Sequence, residues 1–151
     1  MLIGATGIVP TPVEVMPPPE AISDASPESV RRKLTFLVSD PALLSEDWVR
    51  EESMINSSAG AREALYAVGT SLNTRSNNDL QAEGLRELAL SAPVLLVWGE
   101  DDAWVPVSVG AEAHAALPGS VLELMPGAGH APYFEDPDRF VAILQRHFGY
   151  A

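Results

Sequence analysis

The sequence predicts an α/β protein with about three parallel strands, flanking helices and a large helical segment. Two short apolar runs, PVLLVW at residues 93–98 and VLELM at residues 121–125, are typical of buried strands. An alanine-rich, helix-like stretch at residues 108–117 separates them, and strand–helix–strand units with short connections form parallel sheets. Between residues 20 and 90 apolar residues recur at helical spacing and no strand pattern is visible.

Residues 1–19 are predicted to contain the end of a core strand followed by a proline-rich connection. The run at residues 1–8 is apolar, as in a buried parallel strand. Six of the 13 prolines lie before residue 28, and proline lacks a backbone donor and fixes φ, so the connection should be irregular. The run has no basic residues before it, which disfavours a signal peptide and makes the cytoplasm the expected location.

Residues 20–90, called the helical segment below, are predicted to hold four helices. Ser26 followed by Pro27, and later Ser45, supply start signals, because a hydroxyl caps the first turn and proline fits the first helical position. The helix that starts after Ser26 is expected to end at Ser39. The last two helices are expected at residues 61–72 and 80–88, on either side of a polar turn at residues 73–78.

Residues 91–151 are predicted to form the larger part of the core. Its two strands are closed by Gly99 and by Pro126. A last helix should begin at Asp136-Pro137, because an acid caps the first turn and proline fits the position after it. Its core stripe consists of Phe140, Ile143, Leu144 and Phe148.

Composition excludes several classes of function. Lys and Arg number 9 against 21 Asp and Glu, which gives a net charge of −12. This balance argues against a nucleic-acid partner and against a basic membrane-binding patch. The chain has no cysteine, so disulfides, thiolate nucleophiles and Cys-ligated zinc are excluded. No apolar stretch reaches the length of a membrane span, so no membrane partner is expected.

An acid and a histidine follow the two predicted core strands. Asp102 lies in the loop after the first strand, and His130 lies in the loop after the second. The carboxyl ends of parallel strands meet at one edge of the sheet, where α/β proteins place their chemistry. A carboxylate there could accept the Nδ1–H of the imidazole and leave Nε2 free as a general base. Gly127 and Gly129 suit a sharp backbone bend that presents His130.

The strings GEDDAWVP at residues 99–106 and GAGHAPYFEDP at residues 127–137 resemble the C-terminal half of the α/β-hydrolase fold superfamily. The resemblance implies that Asp102 is the triad acid and His130 the triad base, in the family's chain order of nucleophile, acid and histidine. It also implies that the helical segment is a cap, or lid, inserted after the sixth core strand. Residues 2–5 would then end that sixth strand.

Within this superfamily the helical segment, with LVSDP at residues 37–41, is similar to that of bacterial meta-cleavage-product C–C hydrolases. Those enzymes usually carry tryptophan after the histidine, where this chain has Ala131. The resemblance implies hydrolysis of a small organic substrate, such as an ester, held between cap and core. It implies no cofactor.

The nucleophile elbow of the family, Gly-x-Ser-x-Gly, is absent from the sequence. The nearest strings, NSSAG at residues 56–60 and GTSL at residues 69–72, each have only one of the two flanking glycines and lie in the helical segment. We therefore expect a truncated hydrolase whose nucleophile lies outside this chain. A serine nucleophile would make the parent an esterase, lipase or C–C hydrolase, and an aspartate would make it an epoxide hydrolase or haloalkane dehalogenase.

Other polar candidates have weaker support in the sequence. Asp101 is the alternative acid, but the Gly-x-x-Asp spacing favours Asp102. His114 lies within a predicted helix and His147 near a helix C-terminus, where a cation suits the helix dipole, so both are expected to be structural. No second histidine or carboxylate lies at ligand spacing from His130, so no metal site is expected.

Five residues are candidates for lining a substrate cavity, although apolar and aromatic residues of this kind also serve as core. They are Trp48, Met54, Tyr66, Trp104 and Ala131.

Two functional hypotheses remain from the sequence. The first is the truncated hydrolase, which acts on a small molecule. The second is a non-catalytic remnant or half of a split protein, which binds an apolar ligand or a partner chain. A sheet of about three strands leaves one edge unpaired, so self-association is expected under either hypothesis.

Overall fold

A computed structural model describes residues 1–75 and 77–149 and confirms the α/β class. Three parallel strands form one sheet in the order β1-β2-β3. The central strand sets the register, because Leu96 lies opposite Leu2 on one side and Leu122 on the other. The strands are β1 (Leu2–Ile3), β2 (Leu95–Gly99) and β3 (Val121–Met125).

Strand β2 is the centre of the core, and all five of its residues are buried. Successive side chains point to opposite faces of a strand, so the apolar run covers both faces. Leu96 and Trp98 pack in a cluster with residues of α6, and Leu95 and Val97 pack with residues of α8. Burial of each such side chain stabilises the fold by roughly 1.5–3 kcal/mol. The two flanking helices are α6 (Val107–Ala116) and α8 (Pro137–Phe148).

The described part of residues 20–90 contains helices and no strand. The start signals at two of these helices are confirmed. The Ser26 hydroxyl accepts from the backbone N–H of Ser29 at 3.3 Å, and the Ser45 hydroxyl accepts from that of Trp48 at 3.1 Å. The helices are α1 (Pro19–Ser23), α2 (Pro27–Leu34), α3 (Glu46–Asn56), α4 (Ala61–Arg75) and α5 (Ala82–Ala89).

The first strand is much shorter than the apolar run that predicts it. It ends at Ile3 because Gly4 has φ +48° and Gly7 has φ +82°, conformations that cannot continue a strand. The rest of the run, including the buried Ile8, packs as loop against the β2–α6 cluster. In this run the apolar character therefore indicates burial, and it does not indicate a strand beyond Ile3.

Two helix ends also differ from the sequence prediction. Helix α2 ends at Leu34 instead of Ser39, because the chain tightens into i→i−3 hydrogen bonds such as that from Leu37 N to Leu34 O at 3.0 Å. Helix α4 continues to Arg75, where a polar turn was predicted. The Thr74 hydroxyl donates to the Thr70 carbonyl at 2.8 Å, so this polar side chain has its hydrogen-bond partner within the helix.

Two short helices, α1 and α7 (Pro132–Glu135), were not predicted. Each begins with proline at its first position, which is a helix-compatible place for it. Both are too short to show an apolar stripe. Hydrophobic periodicity therefore does not reveal them.

The loop after β1 is tied by hydrogen bonds to the part of the helical segment that precedes α5. Thr11 N–H donates to Asn77 Oδ1 and Asn77 Nδ2 donates to the Thr11 carbonyl, both at 2.8 Å. Beside them, Gln81 N–H donates to the Gly7 carbonyl at 2.8 Å. These bonds hold the loop after β1 against residues 77–81, which precede α5. None of the described helices combines the length and apolar character needed to cross a bilayer.

Candidate active site

Asp102 is fixed in the loop that follows β2. Its Oδ1 accepts the backbone N–H groups of Trp104 and Val105, each at 2.8 Å. This is the local turn that aspartate favours, with the side chain satisfying donors two and three residues ahead. Only 1% of the side chain is exposed. One carboxylate oxygen is thus used to build the turn, and the other, Oδ2, remains for a second partner.

That partner is His130, in the loop after β3. Its Nδ1 lies 2.9 Å from Asp102 Oδ2. A carboxylate can only accept a hydrogen bond, so the proton lies on Nδ1 and Nε2 of a neutral ring is left with a free lone pair. The His130 side chain is 25% exposed, in contrast to its buried partner. An imidazole that is held in one orientation and partly exposed can act as a general base.

The two loops are joined backbone to backbone. Glu100 N–H donates to the Met125 carbonyl at 3.1 Å, and Asp101 N–H donates to the Ala128 carbonyl at 3.0 Å. A Cβ on Gly99 would lie 2.0 Å from the Gly129 carbonyl oxygen. Residue 99 must therefore be glycine for the loops to cross at this distance. The sequence indicated Gly99 as the end of a strand and as the glycine of the Gly-x-x-Asp pattern, and neither signal revealed this close approach.

A third wall of the site comes from the end of β1, which the sequence analysis did not place there. Gly4 has φ +48°, and a Cβ on it would lie 2.9 Å from both Cε1 and Nδ1 of His130. Its N–H donates to the Val97 carbonyl at 3.2 Å. The backbone of Gly4 thus packs directly on the imidazole. The only signal for this contact was a glycine directly after an apolar run.

The two glycines before His130 have different functions. Gly127 has φ +77° and makes the expected sharp bend. The expectation for Gly129 was wrong in its cause, since Gly129 is not among the residues with positive φ. A Cβ on Gly129 would lie 2.8 Å from Ser39 N and 3.0 Å from the carbonyl carbon of Val38. Close approach of the helical segment therefore requires glycine at this position.

Three of the five predicted substrate-lining residues lie near the His130 loop. The Trp104 ring lies 5.1 Å from the imidazole, centroid to centroid. Ala131 is buried and its N–H donates to the Leu37 carbonyl at 2.9 Å. Trp48, on α3, lies 5.0 Å from the ring of Phe134, four residues after His130 in the chain.

The other two lie elsewhere on the helical segment. Met54 is 68% exposed on α3. Tyr66, on α4, donates to Glu20 Oε1 at 3.3 Å and borders a surface cavity of about 710 Å³. The residues that line this cavity are polar for the most part and include neither Asp102 nor His130.

The remaining candidates of the sequence analysis take no part in the pair. Asp101 is exposed, and it is Asp102 that contacts the imidazole. His114 Nδ1 lies 2.9 Å from the hydroxyl of Ser120. His147 lies in the last turn of α8. Among residues 1–75 and 77–149, no three His, Asp or Glu side chains are grouped in a way that could hold a metal ion.

Comparison with known proteins identifies the family. The model of a family described as the Alpha/beta hydrolase family matches residues 2–143. An uncharacterized hydrolase of Bacillus subtilis, YugF, is 31% identical over 113 residues, which are 75% of this chain and 39% of that protein. A 2-hydroxy-6-oxononadienedioate/2-hydroxy-6-oxononatrienedioate hydrolase of Burkholderia vietnamiensis is 28% identical over 138 residues, 91% of this chain and 47% of that protein.

Comparison with solved structures identifies the same fold. The meta-cleavage product hydrolase of Pseudomonas fluorescens superposes with a TM-score of 0.80 at 20% identity, over 97% of this chain and 54% of that one. The chain thus spans about half the length, or less, of the relatives it matches. With the family match covering nearly all of its residues, the chain belongs to the α/β-hydrolase family.

Proposed function

We propose that Asp102 and His130 are the acid and base of a nucleophile–His–Asp triad that hydrolyses a small organic substrate. The observation that carries the proposal is the 2.9 Å contact between Asp102 Oδ2 and His130 Nδ1, at the carboxyl ends of neighbouring parallel strands. In a member of this family, an acid followed by a histidine in chain order is the order that the triad requires.

The proposed reaction uses His130 twice. With a serine nucleophile, Nε2 takes the hydroxyl proton as the serine oxygen attacks the substrate carbonyl, and the imidazolium then protonates the leaving group. In the second half of the reaction, Nε2 takes a proton from a water molecule as the water attacks the acyl group on the nucleophile. The imidazolium then protonates the nucleophile as the acid product leaves. Asp102 holds the Nδ1–H tautomer throughout and stabilises the imidazolium while it exists. No cofactor enters these steps.

The nucleophile is proposed to lie outside residues 1–151, because these contain no Gly-x-Ser-x-Gly elbow. With a serine nucleophile, the bond that is broken would be an ester bond or a carbon–carbon bond next to a carbonyl. With an aspartate nucleophile, the substrate would be an epoxide or a haloalkane. The two relatives described as hydrolases of meta-cleavage or 2-hydroxy-6-oxo-dioate compounds favour the serine form and a C–C substrate.

The substrate is proposed to lie between the helical segment and the sheet. Trp104 and Ala131 would form the part of its pocket nearest the base, since Trp104 stacks obliquely on His130 and Ala131 follows it. Trp48 would add an apolar wall through its contact with Phe134. Three apolar side chains of this kind suit a substrate with an apolar arm.

The test is to express this chain together with any coding sequence that lies in frame upstream. Hydrolysis of p-nitrophenyl esters and of a 2-hydroxy-6-oxo-dienoate is then measured for the wild type, for His130→Ala and for His114→Ala. Removal of a triad member costs about 10³- to 10⁶-fold in rate, so His130→Ala should lose nearly all activity. His114→Ala is the matched control and should keep it. Full activity in His130→Ala would refute the proposal.

The non-catalytic alternative rests on one observation of the sheet. Strand β1 pairs with β2 on one side, and its other side has no strand partner among the described residues. A partner chain could add a strand there. Absence of hydrolysis by every form of the protein, together with a stable complex that forms through this edge, would favour this alternative.

A further inference from the structure

The His130 loop is held from behind by one carboxylate. Glu135 lies in the short helix α7, five residues after His130. Its Oε1 accepts the backbone N–H of Gly129 at 2.6 Å. Its Oε2 accepts the backbone N–H of Ser39 at 2.6 Å and lies 2.7 Å from the Ser39 hydroxyl. One side chain therefore bonds to the residue before His130 and to a residue of the helical segment.

The hydrogen bonds of Glu135 are stronger than hydrogen bonds between neutral groups. A carboxylate that accepts from backbone N–H groups forms charge-assisted hydrogen bonds, which are about twice as strong as neutral ones. Oε1 accepts a hydrogen bond from the His130 loop, and Oε2 accepts one from the helical segment. Glu135 therefore bridges the two parts and cannot be satisfied by either alone.

The surrounding backbone fits the same contact. Gly129 has no room for a side chain because Ser39 N would lie 2.8 Å from its Cβ. Ala131 N–H donates to the Leu37 carbonyl at 2.9 Å. The Ser39 hydroxyl also lies 2.5 Å from the Gly127 carbonyl, so its single proton can go to that carbonyl or to Glu135.

The Ser39 side of the contact is itself anchored. Val38 is 4% exposed and packs in a cluster with Val30, Leu34 and Val49, which belong to α2 and α3. A continuous path thus runs from the core of the helical segment through Ser39 and Glu135 to the backbone of Gly129. His130 is the next residue.

We propose that Glu135 is a positioning residue, which fixes the His130 loop against the helical segment so that Nδ1 faces Asp102. This inference rests on the proposed function for its catalytic meaning. A shift of the helical segment on substrate binding would be transmitted to the base through the same contact. Glu135 itself touches neither Asp102 nor His130 in the bonds described above.

The test is Glu135→Gln in the 151-residue chain, with Glu112→Gln as the matched control. Glutamine keeps the size of the side chain but replaces one acceptor oxygen by NH₂. In either orientation the NH₂ then faces a backbone N–H donor, so either the bond from Gly129 N–H or the bond from Ser39 N–H is lost. Glu112 is exposed on α6, so its substitution makes the same change of charge away from the site.

Two NMR measurements are made, with the imidazole neutral. The ¹⁵N shifts of His130 give the fraction of Nδ1–H tautomer, and amide exchange gives the protection of Gly129. In Glu135→Gln we expect the Nε2–H tautomer to appear and Gly129 exchange to accelerate about tenfold or more. Glu112→Gln should match the wild type in both. A purely structural role would accelerate exchange without changing the tautomer of the folded protein.

A wild-type tautomer in a folded Glu135→Gln variant would overturn the inference, whether or not Gly129 exchange accelerates. If that variant does not fold, Ser39→Ala decides, since it removes the hydroxyl and keeps the backbone bond. It should shift both readouts in the same direction by a smaller amount, and no shift would again overturn the inference. A wild-type protein without the Nδ1–H tautomer would refute the proposed triad itself, whereas Gly129 protection would still report on Glu135.

Discussion

The two oxygens of Asp102 have separate hydrogen-bond partners. Oδ1 closes its own turn through two backbone N–H groups, and this use orients Oδ2 at His130. The direction of the carboxylate therefore does not depend on the histidine. Pre-orientation of this kind lowers the cost of holding the imidazole in one tautomer.

Close approach of backbone, rather than backbone conformation, makes Gly99 irreplaceable. We expect Gly99→Ala to destabilise the protein by about 3 kcal/mol or more, because its Cβ would overlap the Gly129 carbonyl oxygen at 2.0 Å. Urea unfolding followed by circular dichroism measures the change.

The matched control is Gly84→Ala in α5. Nothing lies within 4 Å of a Cβ at this position, so the same substitution should stabilise the helix by about 0.5–1 kcal/mol. Equal effects of the two substitutions would show that the loops after β2 and β3 do not cross as described.

Sequence patterns predicted those residues whose signal is local. Asp102 and His130 follow strands, and strand ends can be read from apolar runs. Gly4, Ser39 and Glu135 gave no such signal. Their contacts join parts of the chain that are far apart in sequence, as in the bond between Ser39 and Glu135, which are 96 positions apart.

At the scale of elements, helix starts were predictable and short elements were not. Ser26, Ser45 and Asp136 each accept a backbone N–H of the first turn, as their residue types predict. Helices α1 and α7 have five and four residues, too few for an apolar period. The length of β1 was set by glycine conformations that an apolar run does not reveal.

The junction of α1 and α2 depends on the one lysine of the sequence. Lys33 Nζ donates to the carbonyls of Ile22 at 2.8 Å and Asp24 at 2.9 Å. Burial lowers the pKa of Lys33 below its usual 10.5, against the opposing attraction of Asp24 and Glu52. The folded protein therefore releases this proton at a lower pH than the unfolded chain does.

The sign of the pH effect follows from this difference. Between the folded pKa and 10.5 the unfolded state binds more protons, so the free energy of unfolding should rise with pH on this account. Lys33→Arg keeps the charge and does not titrate in this range, so it should lack the rise. Urea titrations of both proteins between about pH 8 and 10.5 measure the difference, and tyrosine ionisation cancels between them. Parallel curves would contradict the lowered pKa.

At the scale of the whole molecule, the sheet and the net charge oppose each other. The free side of β1 favours pairing with another chain, and a net charge of −12 favours separation. Salt screens the repulsion and leaves the pairing intact.

We therefore expect association that grows with protein concentration and with salt. Sedimentation velocity at about 0.01 M and 0.5 M NaCl should show larger species under the second condition. A monomer at every concentration and both ionic strengths would contradict an adhesive sheet edge. It would also remove the main support for the partner-chain hypothesis.

The paired bonds between Thr11 and Asn77 bring together two points of the chain between which helices α1 to α4 lie. An insert whose two ends meet can be exchanged for another without rerouting the rest of the chain. These helices can therefore vary in evolution while the Asp102–His130 contact is kept. Glu135 sets one condition on such grafts, since any donor segment must present a backbone N–H where Ser39 now presents its own.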